Sequence, residues 1–192
     1  MNLVSIFALL ILGVSPALAH VGHAATASFA AGVAHPLGGL DHVAVMVAVG
    51  LWAALKGGRA LWLWPCAFVG VMLIGGALGM AQVAVPFVEP AILASVVALG
   101  LLVALAIDLP VAAGAVIVSV FALFHGHAHG SEVTETVGGL QYMAGFAFAT
   151  ATLHVTGIGF AELMTRSHMR AVIRVAGGLC VFTGIVMFGG MV

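Results

Sequence analysis

Apolar residues run along this chain in long blocks rather than alternating with polar ones, and the blocks are broken at charges, prolines and glycine clusters. A helix needs about 20 apolar residues to span the hydrocarbon of a bilayer. Six blocks approach that length: Leu37 to Leu55, Ala60 to Val83, Ala91 to Ile107, Val111 to Phe124, Leu140 to Leu163 and Ala171 to Met191. A short apolar lead-in, Ala24 to Ala34, precedes them, and the fourth block, the shortest, can continue through His125 to Ala128. Only helices and closed barrels satisfy the backbone in lipid, and the blocks lack the dyad alternation of barrel strands. The expected fold class is therefore all-α, a polytopic membrane helical bundle with six transmembrane helices. Glycines recur at helical spacing in Gly75-Gly76-x-x-Gly79 and Gly157-x-Gly159, where they would let neighbouring backbones approach.

The chain begins with an apolar core from Leu3 to Val14, then Gly13 and Pro16 as helix breakers and Ala17-Leu18-Ala19 as a small-x-small cleavage site. That is the pattern of a secretory signal peptide over residues 1–19, although its n-region, Met1-Asn2, carries no Lys or Arg. Residues 20–192 then form one six-helix transmembrane domain, with the mature N-terminus and the C-terminus both periplasmic. Lys56 and Arg59 fall in the first loop of that scheme and Arg166, Arg170 and Arg174 in the fifth, all cytoplasmic, as the positive-inside rule requires.

Composition supports a membrane solvent: 64% of residues are hydrophobic and 6% charged, against about 25% charged in soluble domains. A net charge of -1, without a basic patch interleaved with aromatics, gives no basis for a nucleic-acid partner. Cys66 and Cys180 lie in apolar blocks outside any CxxC pair and read as small buried hydrophobes, so metal ligands must be sought among harder donors.

Those donors gather in two clusters on the side away from the basic residues. His35, Asp41 and His42 lie in HPLGGLDH, where Pro36 suits the first turn of a helix. Residues seven apart return to nearly the same helix face, whereas Asp41 falls about 120° from His35. The three converge only if the chain bends around Gly38-Gly39 or a partner helix intervenes. In FHGHAHGSE, His125 and His129 are i,i+4 neighbours if helical, with Glu132 at i+3 from His129; the other reading is a solvated His-rich loop. Imidazole with carboxylate suits first-row divalent ions such as nickel, cobalt or zinc. Glu89, before Pro90, reads equally as a helix-entry residue or a ligand, and His154 as an interhelical hydrogen-bonding group or a metal contact. Met46, four residues past His42, reads as a packing residue.

The stretch HPLGGLDHVAVMVAVG followed by FHGHAHGSE resembles the HupE/UreJ family of small membrane proteins linked to nickel-dependent hydrogenase and urease systems. The resemblance implies a nickel permease of the bacterial inner membrane, with cobalt as an alternative cargo and a functional link to nickel-enzyme maturation. On it, His35, Asp41, His42, His129 and Glu132 match the family's motifs, and Glu89 and His154 resemble its polar positions. The metal is then cargo, and no resident cofactor or enzymatic activity is expected. No GxxxxGK[ST] motif points to ATP-driven transport. Three rival readings are a membrane metallochaperone without transport, an intramembrane zinc hydrolase, for which HExxH and GxSxG are both lacking, and a haem-binding bundle, for which CxxCH is lacking.

Overall fold

A computed structural model describes residues 28–190 apart from 134 and 135. The signal-peptide reading therefore lies outside the described residues, as does Met191. Among the described residues the chain forms seven helices and no strand: α1 (Phe29–Gly38), α2 (Leu40–Lys56), α3 (Ala60–Met80), α4 (Val88–Ala104), α5 (Val111–Ser131), α6 (Thr136–Arg166) and α7 (Arg170–Gly189). By length and composition α3, α5, α6 and α7 can each cross a membrane, and α1 with α2 makes a fifth crossing if that pair, bent by 88°, counts as one. The apolar α4, at 17 residues, is shorter.

The first block differs from expectation. Its apolar lead-in is already helical from Phe29, capped by Ser28, whose Oγ accepts the Ala31 N–H at 3.2 Å. Pro36 accordingly lies near the C-terminal end of α1 and not in the first turn of the next helix. Having no N–H to give the Gly32 carbonyl, it weakens that last turn. The helix stops at Gly38, Gly39 is extended (φ -104°, ψ 122°), and α2 departs in a new direction. The fourth block also runs further than its minimal limits, since α5 carries the second histidine cluster inside its last turns.

Close approach of α3 and α5 is the most extensive contact in the bundle. A Cβ on Gly126 would run into the Met72 carbonyl oxygen, and one on Gly130 into that of Gly76. Without glycine the two backbones could not sit at this distance, which is the packing that substitutes for a hydrophobic drive in lipid. Gly157 similarly abuts the Val47 carbonyl in α2, whereas Gly159 faces open space and takes no part. Helices α4 and α7 pair on one flank, and α6 covers both α1 and α2.

The turns ending α3, α4 and α6 share one device. Gln82, Ala106 and His168 adopt positive φ, and the next residue's N–H reaches back to Leu78, Leu102 and Met164 respectively, each a Schellman-type stop built without glycine. At the end of the bundle away from the histidines, Trp52 and Trp64 pack at 4.2 Å and donate Nε1–H to the carbonyls of Ile107 and Val111 at 2.9 and 2.8 Å. Beside them Lys56 Nζ donates to Asp108 Oδ1 at 2.5 Å, giving Asp108 a partner beyond the turn before Pro110. Cys180 is half-buried, but Cys66 is exposed on the outside of the bundle, contrary to its reading as a buried hydrophobe. Apolar surroundings there are supplied by the surface of an apolar helix rather than by the core.

Because Gly126 has backbone on its open side, Gly126→Val should force α3 and α5 apart. Overpacking of this kind costs about 1–3 kcal/mol, and a thermal melt of the purified protein in detergent should show a lowered midpoint, whereas Gly159→Ala should leave it in place.

Candidate metal site

The break at Gly39 turns two helix ends toward one shared face. His35 projects from the last turn of α1 and Asp41 and His42 from the first turn of α2, and the 88° bend brings the two imidazole rings to 6.1 Å, edge to face. Asp41, off the shared face on a straight helix, lies with Oδ1 2.7 Å from His42 Nδ1. A Cβ at Gly39 would meet Asp41 Oδ1 and His42 Nδ1 at 2.7 Å each, so this pair exists in its present form only over a glycine. With the carboxylate accepting the Nδ1 proton, His42 Nε2 is left with its lone pair, the arrangement that orients metal-binding histidines.

The last turns of α5 supply the facing donors. His125 and His129, one turn apart, are both buried and turned toward His42, while His127 between them donates Nε2–H to the Val83 carbonyl at 2.7 Å and ties down the loop after α3. The segment is thus helical and buried, and the solvated-loop reading fails because glycines 126 and 130 let α3 cover it. His129 Nε2 stands 2.5 Å from His42 Nε2, and its ring lies 4.5 Å from that of His35. Nitrogens bound to one ion at about 2.0–2.1 Å sit roughly 3 Å apart, so a small opening of this pair would admit a cation.

His125 stacks on His42 at 5.3 Å. Ser95 Oγ donates to the Ile92 carbonyl and can therefore only accept from His125 Nε2, 3.4 Å away, which leaves His125 Nδ1 without a partner. Glu132 Oε2 lies 3.7 Å from His129 Nδ1, too far for a hydrogen bond. One donor atom each of His35, His129 and Glu132 fall within 4.8 Å of one another. Glu132 is exposed and His35 half-buried, so the group opens toward solvent at its outer edge and is closed at His42 and His125.

The structure thus gathers His35, Asp41, His42, His125, His129 and Glu132. It does not bring Glu89 or His154 to them. Glu89 is exposed in the first turn of α4, at the same end of the bundle. His154 is fully buried further down α6, and Met46 is fully buried in the core. The aromatic wall of the site was not read from sequence: Phe146 lies 4.5 Å from His129, and Tyr142, with its hydroxyl unpartnered, 5.8 Å from His35. Their i,i+4 spacing on one block, with Tyr142 the sole tyrosine of the chain, is the signal that was available.

Residues 8–187 match the family described as HupE / UreJ protein. The chain is 47% identical over 176 residues to Protein HupE of Rhizobium leguminosarum bv. viciae, an alignment covering 92% of this chain and 92% of that protein. No solved structure matches it.

Gly39→Ala should push Asp41 and His42 apart and weaken Co2+ binding by about tenfold, in the range typical of lost metal-ligand orientation. Gly38→Ala, with nothing within 4 Å of the added carbon, should bind as wild type; isothermal titration of the two purified variants makes the comparison.

Proposed function

Since the chain belongs to the HupE/UreJ family, we propose that it is a nickel permease, with cobalt as an alternative cargo, moving the divalent ion from periplasm to cytoplasm and supplying hydrogenase or urease maturation. The observation that carries this reading is the convergence of four imidazoles and two carboxylates at one end of an apolar bundle, with the Asp41–His42 pair oriented as a metal-binding histidine is. Intramembrane ionisable groups that face the interior of a bundle mark ion pathways. Here the buried nitrogens His125 Nδ1 and His129 Nδ1 have no hydrogen-bond partner, which suits donors reserved for a cation.

In this reading the bent pair α1–α2, the short α4 and the four long helices make six crossings of the inner membrane. The histidine end faces the periplasm and the end bearing Lys56, Arg59, Arg166, Arg170 and Arg174 faces the cytoplasm, in keeping with the positive-inside rule. A hydrated ion meets Glu132 and His35 first, at the open edge, and exchanges waters for His129, His42 and His125 further in. Release requires that no rigid closed cage form, and the exposure of Glu132 keeps one side of the ligand set replaceable by water.

Radioactive nickel uptake by proteoliposomes containing the purified protein tests the proposal. Asp41→Ala should reduce metal affinity about 10- to 100-fold, as loss of an orienting carboxylate does, and His42→Ala should abolish uptake. His168→Ala, at the opposite end, should leave uptake unchanged. Because each imidazole binds metal only when deprotonated, uptake at fixed nickel should fall as the external pH is lowered. Metal binding without flux in the wild type would instead assign the protein to the class of membrane metal-binding accessory proteins.

A further inference from the structure

His154 is a buried histidine that the outer cluster leaves unexplained. It lies midway along α6, fully buried, and both of its ring nitrogens lack a hydrogen-bond partner. A neutral imidazole has one donor and one acceptor, and leaving such groups unmade in an interior is uncommon and costs about 1–3 kcal/mol apiece. A histidine kept only to fill space would be replaced by an apolar residue without loss. Interhelical hydrogen bonding, the structural role open to it from sequence, is not what it does.

Its position relates it to the cluster. Phe146, Thr150 and His154 fall at successive i,i+4 positions on α6, and all three are fully buried. Phe146 forms the wall of the outer cluster, Thr150 Oγ1 is directed at Met72 Sδ at 3.6 Å, and His154 follows one turn further. Against α2, the His154 carbonyl abuts Gly50, which is eight residues, about 12 Å of helix, beyond His42. A single ring stands between the two places: Phe68 lies 5.9 Å from His125 on one side and 5.0 Å from His154 on the other, edge to face with the latter. His154 thus lies inward of the cluster and short of Lys56 and Asp108, which close the far end of α2.

We propose that His154 is a second, inner station for the divalent cation, reached from His125 past Phe68. It offers one imidazole, with the Thr150 hydroxyl one turn above it, so the ion is held there mainly by water. A site with one strong ligand binds weakly and releases readily, which is what a transfer point requires after a cluster of several imidazoles. The inference rests on the permease reading and adds where the ion goes after its first ligands.

Two measurements on the full chain test it. Equilibrium dialysis of the purified protein against Co2+ alone should show a tight phase and a weaker second phase; in His154→Leu the weak phase should vanish while the tight one is unchanged. In proteoliposomes His154→Leu should carry nickel about tenfold more slowly, with melting behaviour at or above that of wild type, and His154→Gln, which keeps a polar donor atom, should fall between. Should His154→Leu fail to fold, His154→Gln carries the test: its weak cobalt phase should be diminished and its flux reduced. A second phase that persists, or wild-type flux in these variants, overturns the inner station while leaving the permease intact. A wild-type protein that moves no nickel overturns the permease reading itself.

Discussion

Imidazoles and a carboxylate withdrawn from water into an apolar bundle must be compensated, and the arrangement of this chain follows from how that is done. The side chains here satisfy one another only in part. Asp41 takes one proton of His42, and His42 and His129 face each other through Nε2, yet His125, His129 and His154 all retain nitrogens with no partner. Hydrophobic replacement at these positions would remove the unmet demand at no loss to packing. Their retention beside Phe68, Phe146 and Tyr142, in a chain with 6% charged residues, is intelligible if the missing partner is an ion that comes and goes.

Meeting that demand depends on two backbone features that side chains do not supply. The extended Gly39 lets α1 and α2 turn through 88°, and only then do His35, Asp41 and His42 share a face. On the other side, Gly126 and Gly130 let α3 come against α5 so closely that the last turns of α5 are covered by protein. That cover buries what would otherwise be an exposed His-rich helix end. The glycines and the histidines of FHGHAHGSE are therefore parts of one device, with glycine on the face that packs on α3 and His125 and His129 on the face that meets α2.

Much of this was readable from residues, and the misreadings have identifiable causes. The heptad spacing of His35 and His42, with Gly38-Gly39 between, let Asp41 join only through a bend or an intervening partner helix, and a bend of 88° is present. Where Pro36 sits was misjudged because an apolar lead-in of eleven residues looks too short to matter when spans are counted; from Phe29 onward it is helical and packed on α6, which puts the proline near the end of that helix. Sequence allowed both a helix and a loop at residues 125–132, and the choice depends on α3 glycines some fifty residues away in the chain. Phe146 and Tyr142 were missed because aromatic residues in an apolar block carry no chemical mark until a neighbour is known. Likewise, that His154 has no partner is a property of its surroundings, invisible in a lone LHVTGIG.

The two ends of the bundle differ in how firmly they are held. At the histidine end the outer edge is exposed through Glu132. At the other, a cleft of about 290 Å³ is lined by Lys56, Arg170, Arg174 and Asp108, and Trp52 and Trp64, packed on each other at 4.2 Å, have both indole N–H groups bonded to the 107–111 connection. Asp108, which would otherwise attract a departing cation, is already engaged by Lys56. Exposed pairs of this type contribute only about 0–1 kcal/mol, so the ion pair by itself ties this end weakly, and the firmer ties are the hydrogen bonds of the two buried tryptophans. On the proposed path, a cation leaving His154 inward would next meet Asp108, already paired with Lys56, and the basic residues Arg170 and Arg174. On that path the imidazoles would thin from several to one and then to none as the charge turns from acidic to basic, an order that would favour capture at the outer end and discharge at the inner one.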